Sequence, residues 1–160
     1  MVALWDPVLD RAPVTSLERA AETLGLKLFL RPVADQRDLA EAFNIAANIK
    51  AGAVLVMQSP RLDILRPEIL RFAAAQRIPV AALFADFAAH GGLLSYGPDV
   101  DDMTAQTADY IAKVLKGAKP GELPIQRPTR FDLVLNLTTA KRLSINVPRS
   151  VLTRADTVIQ

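Results

Sequence analysis

Short, wholly apolar runs alternate with stretches of helical period through the first half of the chain, and few architectures accept that alternation. Val2 to Trp5 reads as a buried strand. Thr15-Ser16-Leu17-Glu18 has the form of a capping box and predicts a helix that Gly25 closes. Leu26 to Arg31 follows as a strand, and Asp35 then caps a helix with Leu39, Phe43, Ala46 and Ala47 on one face. Gly52 ends that helix, and Ala53 to Met57 is the next strand. A third helix is expected over Pro67 to Gln76 and a fourth strand over Pro79 to Leu83. Antiparallel strands can be joined by tight turns, whereas parallel strands need crossovers of this length. The pattern therefore predicts βαβ units and an α/β three-layer sandwich around a mainly parallel sheet. Strands apolar on both sides call for helices over both faces.

Beyond Leu83 the rhythm changes. A short helix over Asp86 to His90 precedes Gly91-Gly92 and a strand-like Leu93 to Tyr96. A longer helix is expected from Asp101 to Lys116, with Met103, Ala108, Ile111, Val114 and Leu115 at helical spacing. Pro120, Pro124 and Pro128 then give a stiff, extended return, because proline fixes φ and cannot donate to a ladder. Phe131 to Leu135 is a further strand. Thr138 or Thr139 caps a small helix through Leu143, and Pro148 opens a final turn ending near Asp156. The run from Gly91 to Asn136 thus looks like a segment that leaves one folded unit, contributes a helix elsewhere and comes back. The chain divides accordingly into a lobe core (1–98), an outgoing helix with its crossing return (99–128), and a strand with helices that complete the lobe (129–160).

Composition narrows the functional classes. The 160 residues are 51% apolar and 22% charged, enough for one domain with a real core. A net charge of +2 with scattered basic residues gives no reason to expect nucleic acid or an anionic membrane as partner. There is no cysteine and one histidine, His90, which excludes thiol chemistry and cysteine-ligated metals and argues against a zinc or non-haem iron site. His90 reads as a helix C-terminal residue meeting the dipole. The longest apolar stretch, Ile78 to Leu94, is interrupted by Asp86, His90, a proline and two glycines and is no membrane span. Met1 leads straight into Val2-Ala3-Leu4-Trp5 without a basic leader. A cytoplasmic protein, or a chain beginning inside a longer one, is expected from that.

Catalytic motifs are absent. Gly92-Leu93-Leu94-Ser95-Tyr96-Gly97 has one residue too many before its serine for a nucleophile elbow. Lys116-Gly117-Ala118-Lys119 lacks the spacing of a phosphate-binding loop, and the turn after Trp5 holds Asp6-Pro7 and no glycine. Neither catalysis nor a cofactor is expected. In open parallel sheets ligands bind beyond the carboxyl ends of the strands. The residues expected there are Trp5, Asp6, Gln58, Ser59, Phe84, Asp86, Ser95 and Tyr96, with Tyr96 foremost. They offer aromatic faces and a few polar groups, the makeup of a small-molecule pocket. Ser59 and Asp86 also have the chemistry of helix caps, and Asp6 that of a turn former.

The ordered motifs resemble a known family. Leu4-Trp5-Asp6-Pro7, Arg77-Ile78-Pro79-Val80, Gly91-Gly92-Leu93-Leu94-Ser95-Tyr96-Gly97, Leu115-Lys116-Gly117-Ala118-Lys119-Pro120, Leu123-Pro124, Phe131-Asp132-Leu133-Val134-Leu135-Asn136 and Thr139-Ala140-Lys141 are similar to the second half of ABC-transporter substrate-binding proteins of the periplasmic-binding-protein type I-like superfamily. The resemblance implies a C-terminal lobe lacking its N-terminal lobe. Such a lobe closes by a hinge on a small-molecule solute, amino acids among those bound in the group, and the closed form is read by an ABC permease. It also implies a periplasmic or lipid-anchored extracellular setting for the two-lobed protein, and a helix that packs on the other lobe. Many relatives carry an acidic residue just after the third strand, where this chain has Gln58-Ser59-Pro60-Arg61. Two further readings remain open: a homodimer through the 101–116 helix, and a stand-alone cytoplasmic α/β domain serving as a dimerisation or sensor module.

Overall fold

The computed structural model describes residues 1–160. Seven strands form one sheet: β1 Val2–Trp5, β2 Phe29–Pro32, β3 Val54–Val56, β4 Val80–Ala82, β5 Leu94–Pro98, β6 Phe131–Asn136 and β7 Thr157–Ile159. Their order is β2-β1-β3-β4-β5-β6-β7, parallel throughout except between β5 and β6. The helices are α1 Ala12–Thr23, α2 Gln36–Asn48, α3 Pro60–Ile64, α4 Arg66–Ala75, α5 Ala85–Ala89, α6 Val100–Leu115, α7 Leu137–Leu143 and α8 Arg149–Leu152, with one 3-10 turn at Pro120–Glu122.

The alternation of apolar strands with helices is realised as expected. Val2, Leu4, Val54, Val56, Val80 and Ala82 all turn to one face and meet Leu39, Ala42, Phe43 and Ala46 of α2, Leu62 of α3, Ile69 and Ala73 of α4 and Phe87 of α5 in a single buried cluster. Phe43 stacks on Phe72 at 5.5 Å between ring centroids, which locks α2 to α4. Right-handed crossovers put α1 on the opposite face, where Val14 and Ala21 are buried. The result is three layers, with the larger core under α2 to α5.

Several boundaries move, each for a physical reason. Thr15 does not cap α1. The helix starts at Ala12, whose N–H is taken by Asp10 Oδ1 at 3.0 Å, and Pro13 occupies the first turn, where no donor is missed. Strand β2 begins at Phe29 and not at Leu26, because the Leu26 N–H closes the end of α1 on the Ala21 carbonyl and the ladder to β1 starts where the Phe29 N–H donates to the Met1 carbonyl. Helix α3 was not anticipated. Ser59 caps it, accepting from the N–H groups of Arg61 and Leu62 at 3.1 and 3.3 Å. Asp99 caps α6, and Asn136 caps α7 in place of Thr138 or Thr139. Asn136 also donates to the Ala88 carbonyl at 2.8 Å, so a buried amide ties α5 to β6. Strand β7 was not anticipated either, since three residues carry no period. It is set by Asp156, whose N–H donates to the Leu133 carbonyl and whose carboxylate accepts from the Leu133 N–H.

Residues 99–128 do leave the sheet and return. No residue of α6 is buried. Its half-buried side, Asp102, Gln106 and Tyr110, faces the returning chain, with Tyr110 donating to the Pro124 carbonyl. Its apolar side faces outward, with Val100, Ile111 and Leu115 at 53%, 55% and 81% exposure. A helix normally turns its apolar stripe to a core. This one does the reverse.

Candidate functional site

At the carboxyl edge of the sheet the chain folds two sets of side chains into place. The first lies beyond β1 and β3. Trp5 ends β1 half-buried with the Arg11 guanidinium 6.0 Å from its ring centroid, and Gln58 is exposed after β3. Asp6, only 6% exposed, accepts from the Ser59 hydroxyl at 2.8 Å, the Val8 N–H at 3.1 Å and Arg61 Nε at 3.2 Å. Burial by itself would raise the Asp6 pKa; the Ser59, Val8 and Arg61 donors outweigh it and hold the carboxyl below its ordinary value. Arg61 donates further to the Ala34 carbonyl, so the loops after β1, β2 and β3 are tied together.

The second set surrounds a cleft of about 620 Å3 between the loop after β4 and the start of α6. Phe84 and Asp86 line it beside Asp63, Arg66, Asp99, Asp101 and Asp132. Arg66 reaches Asp86 at 3.3 Å, and Arg130 reaches Asp99 at 3.6 Å from outside the lining. Five aspartates against one lining arginine give the cleft a negative field. Its floor is set by Gly97, where an added Cβ would lie 2.2 Å from the Leu83 carbonyl oxygen. His90 ends α5, its Nδ1 2.7 Å from the Asp86 carbonyl oxygen, away from the cleft lining.

Six of the eight residues singled out from the sequence thus reach the carboxyl edge: Trp5, Asp6, Gln58 and Ser59 on one side, Phe84 and Asp86 on the other. Two do not. Ser95 pairs with Ala82 and Val134 inside the sheet and is 1% exposed, its hydroxyl without a protein partner. Tyr96 points to the opposite face, 58% exposed, with its ring centroid 6.0 Å from that of Phe131 in a shallow groove shared with Leu133, Val151, Arg154 and Asp156. Both lie within the paired stretch of β5, which runs on to Pro98. The chain leaves the sheet at Asp99, the cap of α6. Sequence reasoning missed Arg61 and four of the five cleft aspartates, Asp63, Asp99, Asp101 and Asp132. The aspartates come from α3, α6 and β6, so only the tertiary fold assembles them; Arg61 was signalled faintly by its place just after Ser59-Pro60.

The sequence matches the family described as ABC transporter substrate binding protein over residues 4–159. Among solved structures it is similar to a conserved domain protein from Vibrio cholerae, with 27% identity and a TM-score of 0.86 over 98% of this chain and 53% of that one. It is similar as well to an ABC domain from Streptococcus pneumoniae described in complex with L-Trp, with 27% identity and a TM-score of 0.88 over 99% of this chain and 54% of that one. A ligand-free, open substrate-binding protein with adhesive properties from Clostridium difficile shares the fold at 17% identity and a TM-score of 0.72, over 99% and 54% of the two chains. The chain spans about half the length of these structures. No curated protein matches it in sequence.

Proposed function

The chain belongs to the ABC transporter substrate-binding protein family, and from that premise we propose that it serves as the C-terminal lobe of a solute-binding clamp feeding an ABC permease. Solute lies on the carboxyl edge of the sheet and is enclosed when a second lobe closes by a hinge. One observation carries this reading: α6 stands off its own sheet with its apolar side turned outward, the posture of an element made to pack on another folded unit. Trp5, Gln58, Phe84 and Asp86 are the contacts proposed for solute, with Asp6 and Ser59 shaping the edge beneath them. The aspartate-lined cleft suits the cationic end of a zwitterion, and amino acids are the first solutes to try, as the Streptococcus relative is described with one. The setting proposed for the two-lobed protein is periplasmic, or extracellular on a lipid anchor.

Calorimetry of the two-lobed protein carrying this lobe, against amino acids and other small solutes, tests the reading. At least one solute is expected to bind, and Phe84→Ala to weaken it about tenfold through lost aromatic contact. Silence across a broad panel sinks the proposal.

A second reading follows from the same helix. Taken alone, the 160-residue chain leaves Val100, Ile111 and Leu115 in water, and a second copy is the nearest apolar surface. Sedimentation of the chain is expected to show a homodimer, and Ile111→Asp combined with Leu115→Asp a monomer. A native chain that stays monomeric at high concentration contradicts it.

A further inference from the structure

Strand order reverses between β1 and β3, where α1 carries the chain one way and α2 carries it back. This is the switch point at which an open parallel sheet offers its crevice. The loops after β1, β2 and β3 converge there on one guanidinium. Arg61 donates through Nε to Asp6 and through Nη1 to the Ala34 carbonyl, while its Nη2 has no partner in the protein. The side chain is 38% exposed, so a solute can reach it. Asp6 is spent: at 6% exposure its carboxylate already accepts from Ser59, Val8 and Arg61.

We propose that Arg61 is the residue of this lobe that recognises an anionic group, taking a solute carboxylate on Nη2 while Asp6 and the Ala34 carbonyl hold its plane. The placement rests on the clamp reading and names the chemistry of its solute. Two anchors remove most of the rotamer freedom that an arginine otherwise loses on binding, which leaves more of each new hydrogen bond as affinity. Asp6 neutralises the net charge of the pair, so what Arg61 offers a carboxylate is the directed N–H donors of its unpartnered Nη2. Charge-assisted N–H to carboxylate bonds are the strong ones, and an arginine fixed in this way is built for them. Two residues on, Asp63 lines the aspartate cleft, so the short helix α3 carries an anion-seeking group at one side and a cation-seeking group at the other. A zwitterion fits that pairing.

Sodium acetate is the probe. Titrated into the isotope-labelled 160-residue chain, it is expected to shift the Arg61 Nε–H signal and the amides of residues 59–62 in NMR spectra along a saturating curve. Sodium chloride at equal ionic strength is expected not to reproduce that curve. Arg61→Met should lose at least about tenfold in acetate affinity, and Arg61→Lys, which keeps the charge without the planar fork, should fall between. If Arg61→Met fails to fold, the native titration still decides, since a linear response or one matched by chloride overturns the proposal. A second arm uses the two-lobed protein, with each solute that binds compared with its carboxamide. The amide should lose about tenfold in native protein, less in Arg61→Lys and far less in Arg61→Met. Acids and amides bound alike would remove the anion site and leave the clamp. Acetate saturating at Arg61 while no solute binds the two-lobed protein would leave the anion site and remove the clamp.

Discussion

Asp6→Ala is expected to destabilise the fold by about 3 kcal/mol, a large part of the 5–15 kcal/mol that holds an ordinary domain. The change leaves the Ser59 hydroxyl, the Val8 N–H and one edge of the Arg61 guanidinium without their acceptor. An orphaned buried donor costs about 1–3 kcal/mol, and the half-exposed arginine recovers part of its share from water. This carboxylate joins the loops after β1 and β3 and orients the Arg61 that ties in the loop after β2, so the loss should show as a lower denaturant midpoint with an unchanged m-value. A midpoint within error of the native protein would mean that the knot contributes nothing.

The same carboxylate gives the acid limb its shape. Its folded pKa lies below the ordinary value, so the stabilisation is fully present above the unfolded pKa of about 3.9. It is lost as pH falls through the folded pKa, because the unfolded chain then binds more protons than the native one. Asp35 acts in the same direction, its carboxyl held low chiefly by the N–H groups of Asp38 and Arg37 at the start of α2. Stability is therefore expected to decline from about pH 4 downward, and Asp6→Asn to flatten that decline.

Gly97→Val is expected to be the most damaging single substitution at the cleft. A Cβ at this position would sit 2.2 Å from the Leu83 carbonyl oxygen and 2.9 Å from its carbon, both backbone atoms with no rotamer to yield. Overpacking of this kind costs about 1–3 kcal/mol or more, and here the strain falls on the loop that carries Phe84 and Asp86. Solute affinity should drop along with the denaturant midpoint, and Gly97→Ala should do the same to a smaller degree. An alanine variant with native stability and native binding would show that β5 does not fix the cleft floor.

The alternation of strands and helices was legible because both faces of the core are written in residue type. Val2 to Leu4 and Val54 to Val56 are apolar on both sides, and Leu39, Phe43 and Ala46 recur at helical spacing, so hydrophobic burial alone selects parallel strands under helices. Asp35 was found as a cap since its partners are its own neighbours in sequence. Helix α3 and strand β7 were not, because runs of five and three residues hold too little period to stand above turn chemistry. Thr15 misled because a side chain that caps one helix bonds back to a carbonyl in another, and the sequence looks the same.

The sequence alone determined that strands end together on one edge and that residues 99–128 depart from the sheet, since each follows from burial and from the stiffness of proline. Only the tertiary structure decided which side chains meet at that edge. Tyr96 and Ser95 differ by one position and so face opposite sides of the sheet, and strand register, not residue type, chose between them. Asp6 lies more than fifty residues from Ser59 and Arg61 yet accepts their hydrogen bonds at 2.8 and 3.2 Å. Local propensity acts over a helical turn; a charge finds its partner only after the loops of three strands have been brought to one point.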